Sequence, residues 1–267
     1  MKQEIQRHLR RTCTVGREIR CFAELGSTNT YAKELIHEGE GVHGLAVLTE
    51  HQTAGRGRME RTFQSPGGKG IYLTVLLRWK LPTERLLSVT ALAGVAVCEA
   101  VERVCGLRPG LKWPNDPVLH GKKICGSLTE LVTAPDGAMW VVLGVGVNVS
   151  QCPSDFTPDV AEMATSLFAE LTHSVSREPL IAALLEELDR MYRDLREGDI
   201  SAWLAVYRQD CVNLGKTVRL MRSEGSVTAL AVDIDDLFGL VVCHPDGSRE
   251  TIRSGEVSVR GLYGYVE

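Results

Sequence analysis

The sequence predicts an α+β fold in two parts, and three observations lead to this prediction. Apolar strand-like segments are followed by one long helical pattern over residues 83–105. A hairpin pattern over residues 122–149 comes next, and short alternating segments separated by turns fill the chain after Asn213. We therefore expect a larger domain of residues 1–213 and a small β-barrel domain of residues 214–267.

The elements of the first half follow from caps and periodicity. Ser27-Thr28-Asn29 predicts the start of a helix that runs to about His37, and residues 45–48 and 70–79 predict apolar strands. In the helix over residues 83–105, apolar residues recur at helical spacing, and Gly106 ends it.

The second half contains hairpins and two more helices. Pro114 excludes helix through residues 112–116, and two strands over residues 122–132 and 139–149 flank a turn at residues 134–137. Further predicted elements are helices near residues 179–196 and 199–212, then strands at residues 217–222, 226–234, 239–244, 250–253 and 256–259.

Composition excludes several classes of protein. The formal net charge is −4, which does not suggest a general binder of nucleic acid or membranes. No apolar run approaches ~20 residues, and the amino terminus does not resemble a signal peptide, so we expect a cytoplasmic protein. The eight cysteines include no Cys-x-x-Cys pair, which favours buried thiols in a reducing compartment over a zinc site.

A loop rich in arginine and glycine is the first candidate site. Arg56, Gly57, Arg58 and Arg61 lie between the strands over residues 45–48 and 70–79. Glycines let the backbone approach a ligand closely, and arginines supply forked donors for phosphate or carboxylate. A solvated hairpin loop is the alternative interpretation.

Two further clusters follow on separate elements. One is Lys112-Trp113-Pro114-Asn115-Asp116 with Lys123, and the other is Gly144-x-Gly146-x-Asn148. Each cluster also has an alternative interpretation. Lys122 and Lys123 could be ordinary hairpin lysines, Asn115-Asp116 could be a plain turn, and the two glycines could merely allow close strand packing. Known phosphate motifs do not fit: Asp210 stands where a P-loop before Gly215-Lys216-Thr217 needs its first glycine, and neither Gly55-x-Gly57 nor Gly144-x-Gly146 has the third glycine of a dinucleotide fingerprint.

Taken in order, these motifs resemble those of the biotin protein ligases. The matching motifs are Ser27-Thr28-Asn29, Gln52-x-Ala54-Gly55-Arg56-Gly57-Arg58, Ser65-Pro66, Lys112-Trp113-Pro114-Asn115-Asp116, Lys123 with Gly126, and Gly144-x-Gly146-x-Asn148. The resemblance implies a mixed sheet with flanking helices, like the catalytic domain of class II aminoacyl-tRNA synthetases. It also implies an SH3-like carboxy-terminal barrel.

The resemblance also implies a reaction. In the family, the carboxylate of biotin attacks the α-phosphate of ATP to give biotinyl-5′-AMP, and Mg²⁺ assists. The adenylate then transfers biotin to one lysine of a biotin carboxyl carrier domain, such as that of acetyl-CoA carboxylase. Because two anions must meet, concentrated positive charge suits this chemistry.

Residue roles are carried over by position. The implied catalytic residues are Lys123, Arg58, Lys112 and Asp116, and Asp116 is also the implied Mg²⁺ contact. The implied biotin contacts are Ser27, Thr28, Asn29, Gln52, Arg56, Gly57, Arg58, Lys123 and Gly126. The implied nucleotide contacts are Arg56, Arg58, Arg61, Phe63, Lys112, Asn115, Lys123 and Asn148.

Two rival functions share parts of this pattern. One is a lipoate or octanoate ligase or transferase of the same fold, and the other is a non-catalytic biotin sensor. Because Lys123 and the arginines are present, the sequence favours catalysis. Only 26 residues precede Ser27, too few for the winged helix of repressor relatives, so we expect no DNA binding. Family members are monomers or homodimers.

The arginine-glycine loop departs from the family pattern at two positions, which leads to a first testable prediction. Glu60 stands where the family has glycine, and Phe63 where it has tryptophan. Glu60 lowers the positive charge of the loop and resists positive φ, so we expect weaker nucleotide retention. The variant Glu60→Gly should lower the KM for ATP and lengthen the adenylate half-life; unchanged values of both would contradict the prediction.

Overall fold

The computed structural model describes residues 1–57, 62–222 and 225–253, and the backbone of residues 258–260. The helices of this part of the chain are α1 (Lys2–His8), α2 (Thr28–His37), α3 (Leu86–Cys105), α4 (Pro158–Met163), α5 (Leu167–Leu171), α6 (Arg177–Glu197) and α7 (Ser201–Asp210). The strands are β1 (Ile19–Leu25), β2 (Ala46–Gln52), β3 (Gly70–Arg78), β4 (Gly110–Lys112), β5 (Asp116–Leu119), β6 (Lys122–Lys123), β7 (Cys125–Thr133), β8 (Met139–Asn148), β9 (Thr217–Arg222), β10 (Gly225–Ile234), β11 (Leu240–Cys243), β12 (Arg249–Ile252) and β13 (Ser258–Arg260).

The main sheet is mixed, as expected. Its strand order is β1-β2-β3-β8-β7, in which β1 runs parallel to β2 and all other neighbours are antiparallel. The predicted hairpin forms β7 and β8, with Gly137 at φ 80° in the turn. Strand β1 was not predicted from the sequence.

One face of the sheet carries the main hydrophobic core. The buried side chains of this face include Leu48, Leu73, Val75, Leu143 and Val145, and they belong to one cluster with the apolar side chains of α3 and α6. Successive strand residues point to opposite faces, so these alternate positions share one side. We call this side the helix-packed face.

The opposite face is covered only in part. Helix α2 packs Ala32, Leu35 and Ile36 against Leu76 and Val142 at one end of it. Toward the other end, the same face presents Tyr72 opposite Gly146 and Thr74 opposite Gly144, because directly paired residues share a face. We call this side the open face.

A small second sheet lies beside β7. Strands β4, β5 and β6 pair antiparallel, which sets Lys112 opposite Asp116 and Val118 opposite Lys123. A tight turn joins β5 to β6, where His120 and Gly121 adopt φ of 45° and 76°. Residues 112–116 are not helical, as Pro114 predicted.

The carboxy-terminal strands form an open antiparallel sheet in the order β12-β11-β10-β9-β13. The sequence predicted a small SH3-like β-barrel; its antiparallel strands are present, but among the described residues no pairing joins β12 to β13, so the sheet is not closed. The inner side chains Leu220, Ala231 and Val242 are buried in the same cluster as the main core. Packing against the larger part of the chain therefore hides this apolar face without closure.

Trp113 joins the two parts of the molecule. Its indole Nε1 donates to the carbonyl of Phe238 at 2.9 Å, and its backbone N–H donates to the Asn213 side chain at 2.7 Å. The Phe238 ring meets Tyr207 edge-on at a centroid distance of 5.4 Å. A domain boundary at Asn213 stays a prediction.

The long predicted helices are present with small shifts of their ends. The helix predicted over residues 83–105 begins as a 3-10 turn at Thr83–Arg85 before α3. Helices α6 and α7 correspond to the patterns at residues 179–196 and 199–212. In the described part of the chain, no helix has the length and apolar character needed to cross a membrane. All eight cysteines are free thiols.

The buried ring of Phe238 at this junction generates a stability prediction. Phe238 is fully buried, so Phe238→Ala should leave a cavity and lower the free energy of unfolding by about 3–5 kcal/mol, measured by urea denaturation. The control Leu230→Ala removes a side chain from the same sheet that is 42% exposed, and should cost about 0.5 kcal/mol or less. Equal losses in both variants would contradict this packing role.

Candidate functional site

On part of the open face, the strands carry glycines and contribute no side chains of their own. Gly126 on β7 lies directly opposite Gly146 on β8, and Gly144 is two residues further along β8. A Cβ on Gly146 would lie 2.4 Å from the Phe63 ring, and one on Gly144 would lie 2.3 Å from the Asn29 side-chain oxygen. These glycines therefore admit side chains onto the face of the sheet. The alternative, that they serve close strand packing, is not what the contacts show.

Polar residues from α2 lie at one end of this glycine strip, which comprises Gly126, Gly144 and Gly146. Ser27 occupies the N-cap position predicted for it, but its hydroxyl makes no capping bond. The Thr28 backbone N–H donates to the Gln52 side-chain oxygen at 2.9 Å. The Asn29 side chain is buried between Thr74 on β3 and Glu130 on β7.

Thr74, Glu130 and Lys33 are site neighbours that sequence reasoning missed. Thr74 is completely buried and contacts both Thr28 and Asn29. Lys33 donates to Glu130 at 2.7 Å. A polar residue within an otherwise apolar strand is the sequence feature that would have identified Thr74.

The base of the arginine-glycine loop adjoins the same polar group. Gln52 Nε2 donates to Ser65 Oγ at 3.0 Å, and Phe63 N–H donates to the Gly55 carbonyl at 3.0 Å. A Cβ on Gly55 would lie 2.4 Å from the Phe63 carbonyl oxygen, so glycine is required there by close approach. Arg56 pairs with Thr62 as an isolated bridge.

The middle of this loop lies outside the described residues. This applies to Arg58, Glu60 and Arg61, so their predicted roles have no structural counterpart. Of the predicted loop contacts, Arg56 is exposed, Gly57 is half-buried, and Phe63 rests on the glycine strip.

Positive charge reaches the glycine strip from the small sheet. The Lys123 ammonium lies 2.6 Å from Asp116 Oδ1, and its Nζ would be 3.5 Å from a Cβ on Gly126. Lys112 is buried, with 5% of its surface exposed, and it lies opposite Asp116 in the β4–β5 ladder. Strands, not loops, therefore hold this carboxylate between two lysines.

The two predicted asparagines hold backbone elements around this cluster. Asn115 Nδ2 donates to Ser127 Oγ at 2.7 Å, toward the helix-packed face. Asn148 Nδ2 donates to the Thr165 carbonyl at 3.0 Å, and Thr165 N–H donates to the Lys123 carbonyl at 2.9 Å. The second set of contacts ties the Lys123 backbone to the end of β8.

Cys125 lies next to this cluster but is not a nucleophile at neutral pH. Burial raises the pKa of its thiol to about 12. The thiolate is the reactive form, so Cys125 remains an inert buried thiol.

No group of three or more His, Cys, Asp or Glu residues that could hold a metal ion occurs in the described part of the chain. Asp116 supplies one carboxylate, and one of its oxygens faces Lys123.

A separate cavity of about 280 Å³ is lined by Thr12, Thr14, His43, Asp189, Tyr192, Arg193, Arg196 and Glu197, none of which the sequence singled out.

Comparison with known families matches both parts of the chain. Residues 22–148 match the Biotin/lipoate A/B protein ligase family. Residues 214–260 match the Biotin protein ligase C terminal domain.

Individual relatives match over most of their length. The bifunctional ligase/repressor BirA of Bacillus subtilis is 32% identical over 249 residues, covering 93% of this chain and 76% of the relative. The biotin–[acetyl-CoA-carboxylase] ligase of Mycobacterium tuberculosis is 33% identical over 246 residues, covering 90% and 88%.

Solved structures agree with these relatives. The biotin protein ligase from Aquifex aeolicus in complex with biotin and ATP has a TM-score of 0.80 and 28% identity, and the match covers 92% of this chain and 99% of that one. With the order of its motifs, its mixed sheet and its two matched segments, the chain belongs to the biotin protein ligase family.

Proposed function

We propose that this protein is an ATP-dependent biotin–protein ligase. The observation that carries the proposal is the placement of Lys123 and the polar residues of α2 around one strip of glycines on the open face, on which Phe63 and Asn29 lie. Hydrogen-bonding groups lie at one end of the strip and a cation near the other, which suits an elongated ligand with polar groups at both ends. Relatives named as biotin–[acetyl-CoA-carboxylase] ligases, at 30–33% identity, support the same reaction.

The reaction has two steps with balanced bonds. A biotin carboxylate oxygen attacks the α-phosphorus of ATP, the bond between that phosphorus and the bridging oxygen breaks, and pyrophosphate leaves. A lysine amine of the carrier then attacks the acyl carbon, loses a proton, and expels AMP. Both steps develop negative charge at phosphate oxygens, which a nearby ammonium stabilises.

We propose the following site roles. Lys123 would lie between the two reacting anions, and Lys112 would add charge behind it. The ring end of biotin would be held by Ser27, Thr28, Asn29 and Gln52, next to Arg56, Gly57 and Gly126. On the nucleotide side we place Phe63, Asn115 and Asn148, together with Arg58 and Arg61, whose roles rest on the family resemblance alone.

Mg²⁺ enters the proposal as the ion that accompanies ATP. It is usually held by one or two carboxylates together with substrate phosphates. Asp116 is the carboxylate beside Lys123, so it fits as a single ligand, and the triphosphate would supply the others. The ion would neutralise phosphate charge during attack.

The acceptor of biotin is proposed to be a lysine on a biotin carboxyl carrier domain, in the cytoplasm. Eight free thiols suit a reducing compartment. The proposal includes no DNA partner, because the net charge is −4 and Arg7 of α1 is paired with Glu4 at 2.6 Å.

The decisive test measures both steps. Pyrophosphate release is followed with biotin and ATP, and mass spectrometry then detects biotin on an apo carrier domain. We expect Lys123→Ala to slow pyrophosphate release by about 10²–10³-fold, because a charge aimed at the transition state is lost. A rate within about threefold of the original protein would contradict this role.

The matched control is Lys122→Ala. Lys122 is the adjacent lysine, is exposed, and donates to the Ala161 carbonyl at 3.1 Å, away from the strip. It should leave pyrophosphate release unchanged. Circular dichroism of both variants checks that each is folded.

A second prediction concerns the glycine strip. Gly146→Ala places a methyl group 2.4 Å from the Phe63 ring, so the ring must move and the floor of the strip rises. We expect the Kd for biotin, measured by calorimetry, to rise about tenfold or more, since overpacking costs about 1–3 kcal/mol. Gly67→Ala, whose Cβ meets nothing closer than 3.8 Å, is the control. An unchanged Kd for biotin in Gly146→Ala would contradict the role of Gly146 as part of the floor of the biotin site.

A further inference from the structure

A continuous run of side-chain contacts crosses the polar end of the site. Thr28 Oγ1 lies 3.0 Å from Gln52 Oε1 and 2.8 Å from Thr74 Oγ1. Thr74 Oγ1 lies 2.6 Å from Asn29 Oδ1. The Asn29 amide nitrogen then donates to Glu130 Oε2 at 2.8 Å.

One end of this run is held by Gln52. Its Oε1 accepts the Thr28 backbone N–H at 2.9 Å, and its Nε2 donates to Ser65 Oγ at 3.0 Å. The Ser65 hydroxyl donates onward to the Phe63 carbonyl at 3.2 Å, so it can only accept from Gln52. The Gln52 side chain therefore presents its oxygen, and not its amide nitrogen, to Thr28.

The other end is held by Glu130. A carboxylate only accepts hydrogen bonds, and the Lys33 ammonium at 2.7 Å stabilises its charge. Facing this carboxylate, the Asn29 amide must present its NH₂ group. Its oxygen is then turned toward Thr74.

The consequence is a shortage of protons between these ends. Three oxygen–oxygen contacts join Gln52, Thr28, Thr74 and Asn29, but the two threonine hydroxyls carry only one proton each. Whichever way the hydroxyls rotate, one contact has no proton. If Asn29 were reversed, its NH₂ group would donate to Thr74 and all three contacts would be satisfied. Glu130 is the group that prevents this reversal.

We propose that Glu130 is a positioning residue that makes this site select ligands carrying an N–H donor. It acts through Asn29, whose orientation leaves the Thr28–Thr74 pair one proton short, so that an oxygen of this pair is left to accept a hydrogen bond from a ligand N–H. The inference rests on the proposed function and deepens it. Biotin carries a cyclic urea with two N–H groups, whereas the dithiolane ring of lipoate has none.

The size of the effect follows from burial. Thr74 is 0% exposed, Thr28 3% and Asn29 4%, so water competes little for these oxygens. A site built to pair with a ligand donor rejects an analogue that lacks it, because its own polar groups then stay unpaired. The preference for biotin over lipoic acid should therefore fall when the side chains of this cluster can satisfy all of their hydrogen bonds with one another.

The variant Glu130→Gln tests this mechanism. A glutamine amide can turn its NH₂ group toward Asn29, which lets Asn29 reverse. We expect the Kd for biotin to rise about 10–100-fold, the Kd for lipoic acid to change less than about threefold, and the KM for ATP to stay near its original value. The melting temperature without ligand should stay the same or rise, because the self-satisfied cluster is more stable.

A second variant separates the ion pair of Glu130 from its role as a hydrogen-bond acceptor, and a third serves as a control. Lys33→Met removes the ion pair but leaves the Glu130 carboxylate as an acceptor, so the preference for biotin over lipoic acid should persist. Glu34→Gln changes an exposed glutamate of α2 and serves as the matched control.

The outcomes distinguish this inference from the proposed function. If the original protein binds biotin, but Glu130→Gln keeps the full preference for it, the positioning role is wrong. Equal losses for both ligands together with a lower melting temperature would show a merely structural role and would also overturn it. If the original protein prefers lipoic acid or does not bind biotin, the proposed function itself fails.

Discussion

The arrangement of the open face depends on three glycines that carry no side chain. At one end of this face, Leu76 and Val142 pack under α2, as in any sheet covered by a helix. At the other end, Gly126, Gly144 and Gly146 carry no side chains of their own, so Phe63 and Asn29 lie directly on the strands, and a Cβ on Gly144 or Gly146 would collide with them. The same two strands therefore build a hydrophobic core at one end and a ligand surface at the other.

The chemical groups around this surface lie on different kinds of element. Lys123 and Asp116 belong to short paired strands, and the 2.6 Å between the Lys123 Nζ and Asp116 Oδ1 atoms is set by the β5–β6 ladder and its turn. Arg56 lies between β2 and β3, outside the strands. An ammonium held by paired strands suits a group that must meet a transition state without reorganisation.

We propose that specificity and catalysis occupy opposite ends of the glycine strip. The polar end is built mainly from uncharged acceptors, which would discriminate between ligands by hydrogen-bond polarity. The Lys123 end would act through charge, which does not depend on the ring that the ligand carries.

The sequence by itself determined the class of fold, the long helices, the β7–β8 hairpin and the family, because periodicity, turn residues and motif order are local properties of the chain. It did not predict β1, the open carboxy-terminal sheet, or the roles of Thr74 and Glu130. Only the tertiary structure decided which hydrogen-bonding groups face one another. Asn29 and Glu130 are 101 residues apart in the chain, and their contact exists because α2 packs across a sheet whose register brings them together.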